Sequence, residues 1–186
     1  MDFVVDPVEV EELAGGDPRR LVVENARRKV DAAVGRASRA GGAARVSGAG
    51  ALAGGTGAAR RRILGVDTAV VLDGRVFGKP ADAGEAELFL RRLSGRTHEV
   101  MSGVVLRSGP DERSDMAVTR VRFRLLEQGD IDWYLASGEW RERAGGYAIQ
   151  GMGAALVEEI EGDYWNVVGL PVPALLRLAP DLLCGG

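Results

Sequence analysis

An aspartate interrupting an apolar run, in Gly65-Val66-Asp67-Thr68, has the clearest capacity for chemistry in this chain. A carboxylate at the end of a buried strand costs free energy unless it is hydrogen-bonded, paired or bound to metal. Asp67 therefore either serves a reaction or caps a turn through its side chain. Lys79 stands between Gly78 and Pro80, a rigid loop from which an ammonium could bind phosphate; the alternative is a solvated loop lysine. Lys29 falls seven residues after Val22 on a helical stripe, where a lysine must snorkel to the edge or meet an anion. Gln150, flanked by a glycine, offers a donor and an acceptor in fixed relation and could read the edge of a base, or it is an ordinary surface glutamine. A carboxylate able to hold a divalent cation, with separate lysines to neutralise a phosphate chain, is what triphosphate hydrolysis needs. Charge must be cancelled before water can attack.

Other chemistries find no support. Gly48-Ala49-Gly50-Ala51-Leu52-Ala53 fits a loose dinucleotide-binding pattern, but no strand of note precedes it and Gly54-Gly55 stands where a helix should run. His98 is the sole histidine and Cys184 the sole cysteine, so neither a Cys/His metal set nor a serine-histidine triad can be assembled. His98 reads as a strand-start residue that satisfies a hydrogen bond. No Gly-x-x-x-x-Gly-Lys-Ser/Thr loop occurs, which excludes a Walker-type ATPase.

The elements that must position these residues follow from periodicity and turn signals. Asp17-Pro18 predicts a helix start, with Val22, Ala26, Val30, Ala33 and Val34 at helical spacing. A low-complexity Ala/Gly-rich insertion at about 35–62 lacks large apolar side chains and reads as loosely packed. Ile63 to Leu72 and Arg75-Val76-Phe77 predict strands joined by an Asp73-Gly74 hairpin turn, and Asp82 with Glu85 caps a helix closed by Gly95. A strand over Glu99–Leu106 follows, then one in which Val121, Phe123 and Leu125 face inward and Arg120, Arg122 and Arg124 face water. Ile131, Tyr134 and Leu135 suggest a short helix stopped at Gly138. Ala154 to Ile160 predicts a strand that turns at Gly162 into a second one, Tyr164 to Val168, before a final helix over Pro171–Leu178. The sum is an α/β chain whose mixed sheet is flanked by helices.

At 186 residues, with 46% hydrophobic and 27% charged residues, one domain spanning 1–186 is expected. A net charge of −3 gives no general attraction to nucleic acid, so a polyanion must be gripped by a few local cations. The single cysteine fits a reducing compartment, with cytoplasm the simplest, and neither a secretory signal nor a membrane-spanning run is expected.

Taken in order, Gly65-Val66-Asp67-Thr68, Phe77-Gly78-Lys79-Pro80, Leu93-Ser94-Gly95-Arg96-Thr97-His98, Ala144-Gly145-Gly146-Tyr147-Ala148-Ile149-Gln150-Gly151 and Gly162-Asp163-Tyr164-Trp165-Asn166 resemble the Maf family of nucleoside triphosphate pyrophosphatases. The resemblance implies an elongated α/β fold with a substrate cleft, often a homodimer, that needs a divalent cation (Mg²⁺ or Mn²⁺) and splits triphosphates into a monophosphate and pyrophosphate. It makes Asp67 the proton acceptor and a metal ligand, Glu11 a second metal ligand, and Lys29 and Lys79 phosphate-neutralising groups. Thr68 and Gln150 fall at positions linked to substrate choice, and the Tyr-Ala-Ile-Gln-Gly form is similar to the subgroup that acts on dTTP and UTP. Family members carry a first strand and a Ser-x-Ser-Pro-Arg-Arg loop ahead of the region resembled here; its lack implies the loss of an arginine phosphate contact and an unpaired sheet edge. The rival expectation is a nucleotide-binding homologue that has lost turnover and acts in cell-division control; a start recorded too late is the third.

Overall fold

The computed structural model describes residues 8, 10–13, 15–39 and 62–183. Residues 40–61, with the dinucleotide-like glycine pattern, and Cys184 lie outside the described residues. Helix α1 spans Pro18–Arg39, started by Asp17, whose carboxylate accepts from the Arg19 amide at 3.1 Å. The helix runs five residues into the stretch predicted to be loosely packed. Ala and Arg are good helix formers that carry it past Gly35, and Val34 packs with Ala26 and Val30 on β-strand neighbours.

Five strands follow: β1 (Arg62–Leu72), β2 (Arg75–Phe77), β3 (Thr97–Ser108), β4 (Asp111–Phe123) and β5 (Val157–Glu161). They form one sheet in the order β2-β1-β3-β4-β5. All four pairings are antiparallel, so among the described residues the parallel part of the expected mixed sheet is not found. Tight turns dictate two of these pairings, β1–β2 and β3–β4. Asp73 (φ 51°) and Gly74 (φ 75°) form the two-residue turn that matches strand twist and joins β1 to β2. Helices α2 (Ala83–Leu93) and α3 (Gln128–Ser137) close the other face, together with the short α4 (Tyr164–Val168) and α5 (Val172–Leu178). The Asp82 carboxylate caps α2 by accepting from the Glu85 amide at 2.8 Å, as its spacing predicts.

Two expected strands are corrected. Tyr164–Val168 is a helix, because the Asp163 carboxylate accepts from the Trp165 amide at 2.9 Å and Gly169 (φ 118°) ends the turn. Met152–Leu156 is a 3₁₀ turn and the strand begins only at Val157; Gly153 lies so close to Ala148 that a Cβ would sit 2.5 Å from its carbonyl oxygen. Leu125 does not continue the buried row of β4 and is 78% exposed, since the strand ends at Phe123 where Arg124 turns to a bidentate pair with Asp130. No helix among the described residues is long and apolar enough to cross a membrane.

The sheet buries both faces. On one, α1 lies across β1 and β3 over Ala69, Val71, Met101 and Val105. On the other, Val70, Val100, Val121 and Phe123 meet Leu90, Leu93, Ile131 and Tyr134. His98 sits in this second layer with 1% exposure, its Nε2 2.9 Å from the Tyr147 hydroxyl and its ring edge-on to Phe123. Burial lowers its pKa to about 4. The unfolded chain then binds the extra proton and the fold does not, so stability is full above about pH 6.5 and falls as pH drops toward 4. Unfolding free energies from urea melts over that range should decline by roughly 3 kcal/mol in total through this residue. His98→Gln should remove that part of the slope; an unchanged slope would locate the acid sensitivity elsewhere.

Candidate active site

Strand β2 is three residues long and pairs only with Val70–Leu72 of β1. Residues 62–69 of β1 are therefore an edge among the described residues. A cleft of about 420 Å³ wraps this edge. Side chains alternate across a strand, so the cleft reads Asp67 from the α1 face and Thr68 from the opposite one. Asp67 was expected at a strand end; it and Thr68 instead sit in the middle of β1, beside the point where the neighbouring strand stops.

Asp67 is 6% exposed. Its Oδ1 lies 2.6 Å from Lys29 Nζ, and its Oδ2 accepts from Asn25 Nδ2 at 3.2 Å. Lys29 Nζ is also 2.8 Å from Glu12 Oε1, so one ammonium joins two carboxylates. The lysine meets anions and does not snorkel. Burial pushes the Asp67 carboxyl above the usual carboxylate range, opposed by Lys29 and reinforced by the negative charge of Glu12. Burial alone would lower Lys29, but the two carboxylates together hold it above its ordinary value.

Glu11 is not where the resemblance put it. Arg28 holds the Glu11 carbonyl at 3.0 Å, and Asn25 clamps the next turn of chain through both the Leu13 amide (2.8 Å) and the Leu13 carbonyl (3.2 Å). This anchoring turns Glu12, not Glu11, into the cleft. Among the described residues no group of three or more His, Cys, Asp or Glu side chains could hold a metal; Asp67 and Glu12 are the acidic pair.

Across the cleft, Lys79 is exposed and pairs with Glu142 at 3.4 Å. The Gly78 carbonyl accepts from the Gly145 amide at 3.0 Å, which fastens the Gly-Lys-Pro loop to the glycine loop that follows α3. Glu142 has a φ of 58°, a left-handed conformation that costs a non-glycine residue about 1 kcal/mol and is tolerated where surroundings enforce it. Tyr147, held by His98, and Ala148, whose amide donates to the Tyr134 hydroxyl at 2.9 Å, fix the loop that brings Gln150 to the cleft with its side chain exposed. Thr68 Oγ1 is 2.8 Å from Ser102 Oγ.

Asp67, Lys29, Thr68, Lys79 and Gln150 thus line one cleft, and Glu11 alone of the expected residues does not. Asn25, Glu12 and Arg143 join them. Asn25 was missed, although its place three residues after Val22 and four before Lys29 on the buried stripe is a signal that could have found it. The Glu11-Glu12 doublet offered none, because an extended segment gives no periodicity to choose between neighbours. The Maf-like protein family model matches residues 1–182. This chain belongs to the Maf-like family. Among its relatives, a dTTP/UTP pyrophosphatase of Pyrococcus furiosus is 50% identical over 116 residues, covering 62% of this chain and 61% of that one. That of Thermus thermophilus is 48% identical over 116 residues, covering 62% of each. That of Thermococcus gammatolerans is 39% identical over 177 residues, 95% of this chain and 84% of the relative. The alignments with the first relatives span less than two thirds of their length. The motifs that carry the Maf-like resemblance surround this cleft: Gly65–Thr68 on the β1 edge, Gly78–Pro80 beside it, and Tyr147–Gln150 opposite.

Proposed function

We propose that this Maf-like chain is a nucleoside triphosphate pyrophosphatase that hydrolyses dTTP and UTP to the monophosphate and pyrophosphate. The observation that carries the reading is the buried Asp67 carboxylate, with its raised proton affinity, facing a cleft that also presents two lysines. In the reaction a water oxygen bonds to the α phosphorus while the bond from that phosphorus to the α–β bridging oxygen breaks. Asp67 takes the water's proton, and the electron pair of the broken bond leaves with pyrophosphate. Raised affinity suits this role, because a base is most effective when its pKa approaches the working pH. Lys29 and Lys79 lie on opposite sides and neutralise the phosphate chain. Lys79 must first give up Glu142, an exchange that costs little between exposed side chains.

The two carboxylates fit a hard divalent cation, which commonly takes one or two protein carboxylates and completes its shell with phosphate oxygens. Asp67 and Glu12 would hold it, and it would supply charge neutralisation on the phosphates. Thr68 and Gln150 lie where the nucleoside would be read. The relatives' names favour thymine and uracil nucleotides. The substrate would be drawn from the free nucleotide pool of a reducing cytoplasm, and a homodimer is the assembly we propose.

The test is pyrophosphate release by the full chain from dTTP, UTP, CTP, ATP and GTP with Mg²⁺ or Mn²⁺. Release from dTTP and UTP above the others is expected. Tight binding of dTTP without release would overturn the catalytic reading in favour of a nucleotide-binding protein.

A further inference from the structure

A buried polar network runs inward from the cleft on the face of the sheet opposite α1. Thr68 and Ser102 are directly paired across β1 and β3, and their hydroxyl oxygens are 2.8 Å apart. Ser102 is fully buried, and its Oγ also lies 3.5 Å from the backbone carbonyl oxygen of Asn166 in α4. Asn166, fully buried as well, donates through Nδ2 to the Val100 carbonyl at 2.9 Å and to Thr119 Oγ1 at 3.0 Å. These bonds pin α4 against β3, so the Asn166 carbonyl is fixed in place.

A carbonyl oxygen can only accept, whereas each hydroxyl has one proton. The Asn166 carbonyl already accepts from the Gly169 amide at 3.1 Å and has a second lone pair for Ser102; of the two proton orders, only the one in which Ser102 donates to Asn166 and Thr68 donates to Ser102 makes hydrogen bonds of both hydroxyl contacts. The order is Thr68 to Ser102 to Asn166. Thr68 Oγ1 is left with lone pairs alone to offer the cleft it lines.

We infer that Ser102 is a positioning residue that fixes Thr68 as a hydrogen-bond acceptor and so sets the base preference of the site. This rests on the pyrophosphatase reading for the identity of the ligand. On a uracil or thymine ring the one ring donor is N3–H, which an acceptor at Thr68 satisfies. Cytosine presents a bare N3 acceptor there, and two acceptors facing each other leave both unpaired. Selectivity comes from the pinned proton as much as from the shape of the cleft.

The experiment compares wild type, Ser102→Ala and Ser102→Thr for binding of the α,β-methylene analogues of UTP and CTP by calorimetry, with pyrophosphate release from UTP and CTP in parallel. Wild type should favour the uridine ligand. Ser102→Ala frees the Thr68 proton, which can then donate to cytosine N3, so the preference should shrink about tenfold, with cytidine binding rising in absolute terms. Ser102→Thr keeps the hydroxyl and should keep the preference. A purely structural role would weaken both ligands together and is refuted or supported by that ratio. If Ser102→Ala does not fold, Thr68→Val removes the same acceptor and should abolish the preference. An unchanged ratio in either variant, or a wild type that binds both ligands alike, overturns the inference. A wild type that binds uridine selectively but releases no pyrophosphate overturns the catalytic reading and leaves Ser102 to be judged on binding.

Discussion

Asp67→Asn should lower pyrophosphate release from UTP by about 10² to 10⁴-fold, the range that a positioned general base contributes. The variant keeps the shape of the side chain, and its carboxamide oxygen can still accept from Lys29, while its amide nitrogen faces Asn25 Nδ2 and that bond is lost at a cost of about 1 kcal/mol. It does not strand a buried charge, because Lys29 keeps Glu12 at 2.8 Å. The carboxylate's burial penalty, which pushes its proton affinity up in the native chain, is removed at the same time. The fold should therefore stay cooperative and melt near the wild-type temperature. The prediction separates chemistry from structure: turnover collapses while a thermal melt hardly moves. Wild-type turnover in a folded Asp67→Asn would deny Asp67 any part in proton transfer. A lost fold would show instead that the carboxylate is held chiefly to anchor α1.

The sequence made the positions of the site legible to different degrees, for physical reasons. Turn and cap chemistry is local, so the Asp73-Gly74 turn, the Asp82 cap and the Gly138 stop read directly. Asp67 and Lys29 stood out because a charged residue on an apolar stripe demands a partner, and each proved to be the other's. What eluded the reading depends on contacts distant in sequence. Tyr164–Val168 has a strand-like composition, yet Asp163 and the Asn166 bonds to Val100 and Thr119 make it a helix. Ser102 is an unremarkable serine in a strand until its register opposite Thr68 is known. Glu12 could not be told from Glu11 before Asn25 was seen to clamp Leu13.

Gly103→Ala should destabilise the fold by about 3 kcal/mol, the upper part of the range for overpacking a tight interior. Gly103 pairs with Asp67 across β3 and β1, directly beneath α1. A Cβ there would lie 2.5 Å from the carbonyl carbon and oxygen of Val22 and from the Val23 nitrogen. These are backbone atoms of a helix, which cannot rotate away as the tip of a side chain can. Gly65, two residues before Asp67, is confined in the same way, with a Cβ meeting the Ala26 oxygen at 2.4 Å. The two glycines let α1 approach the sheet closely enough for Asn25 and Lys29, one turn apart, to reach the Asp67 carboxylate. Lifting the helix should therefore cost activity beyond the loss of folded protein, with turnover per folded molecule also falling. Gly129→Ala is the control, because nothing lies within 4 Å of the added methyl and alanine favours the helix it would join. Urea melts of the two variants, with turnover corrected for the folded fraction, test the point. If Gly103→Ala melts like wild type, α1 can slide on the sheet, and the close fit that delivers Lys29 to Asp67 does not depend on the glycine.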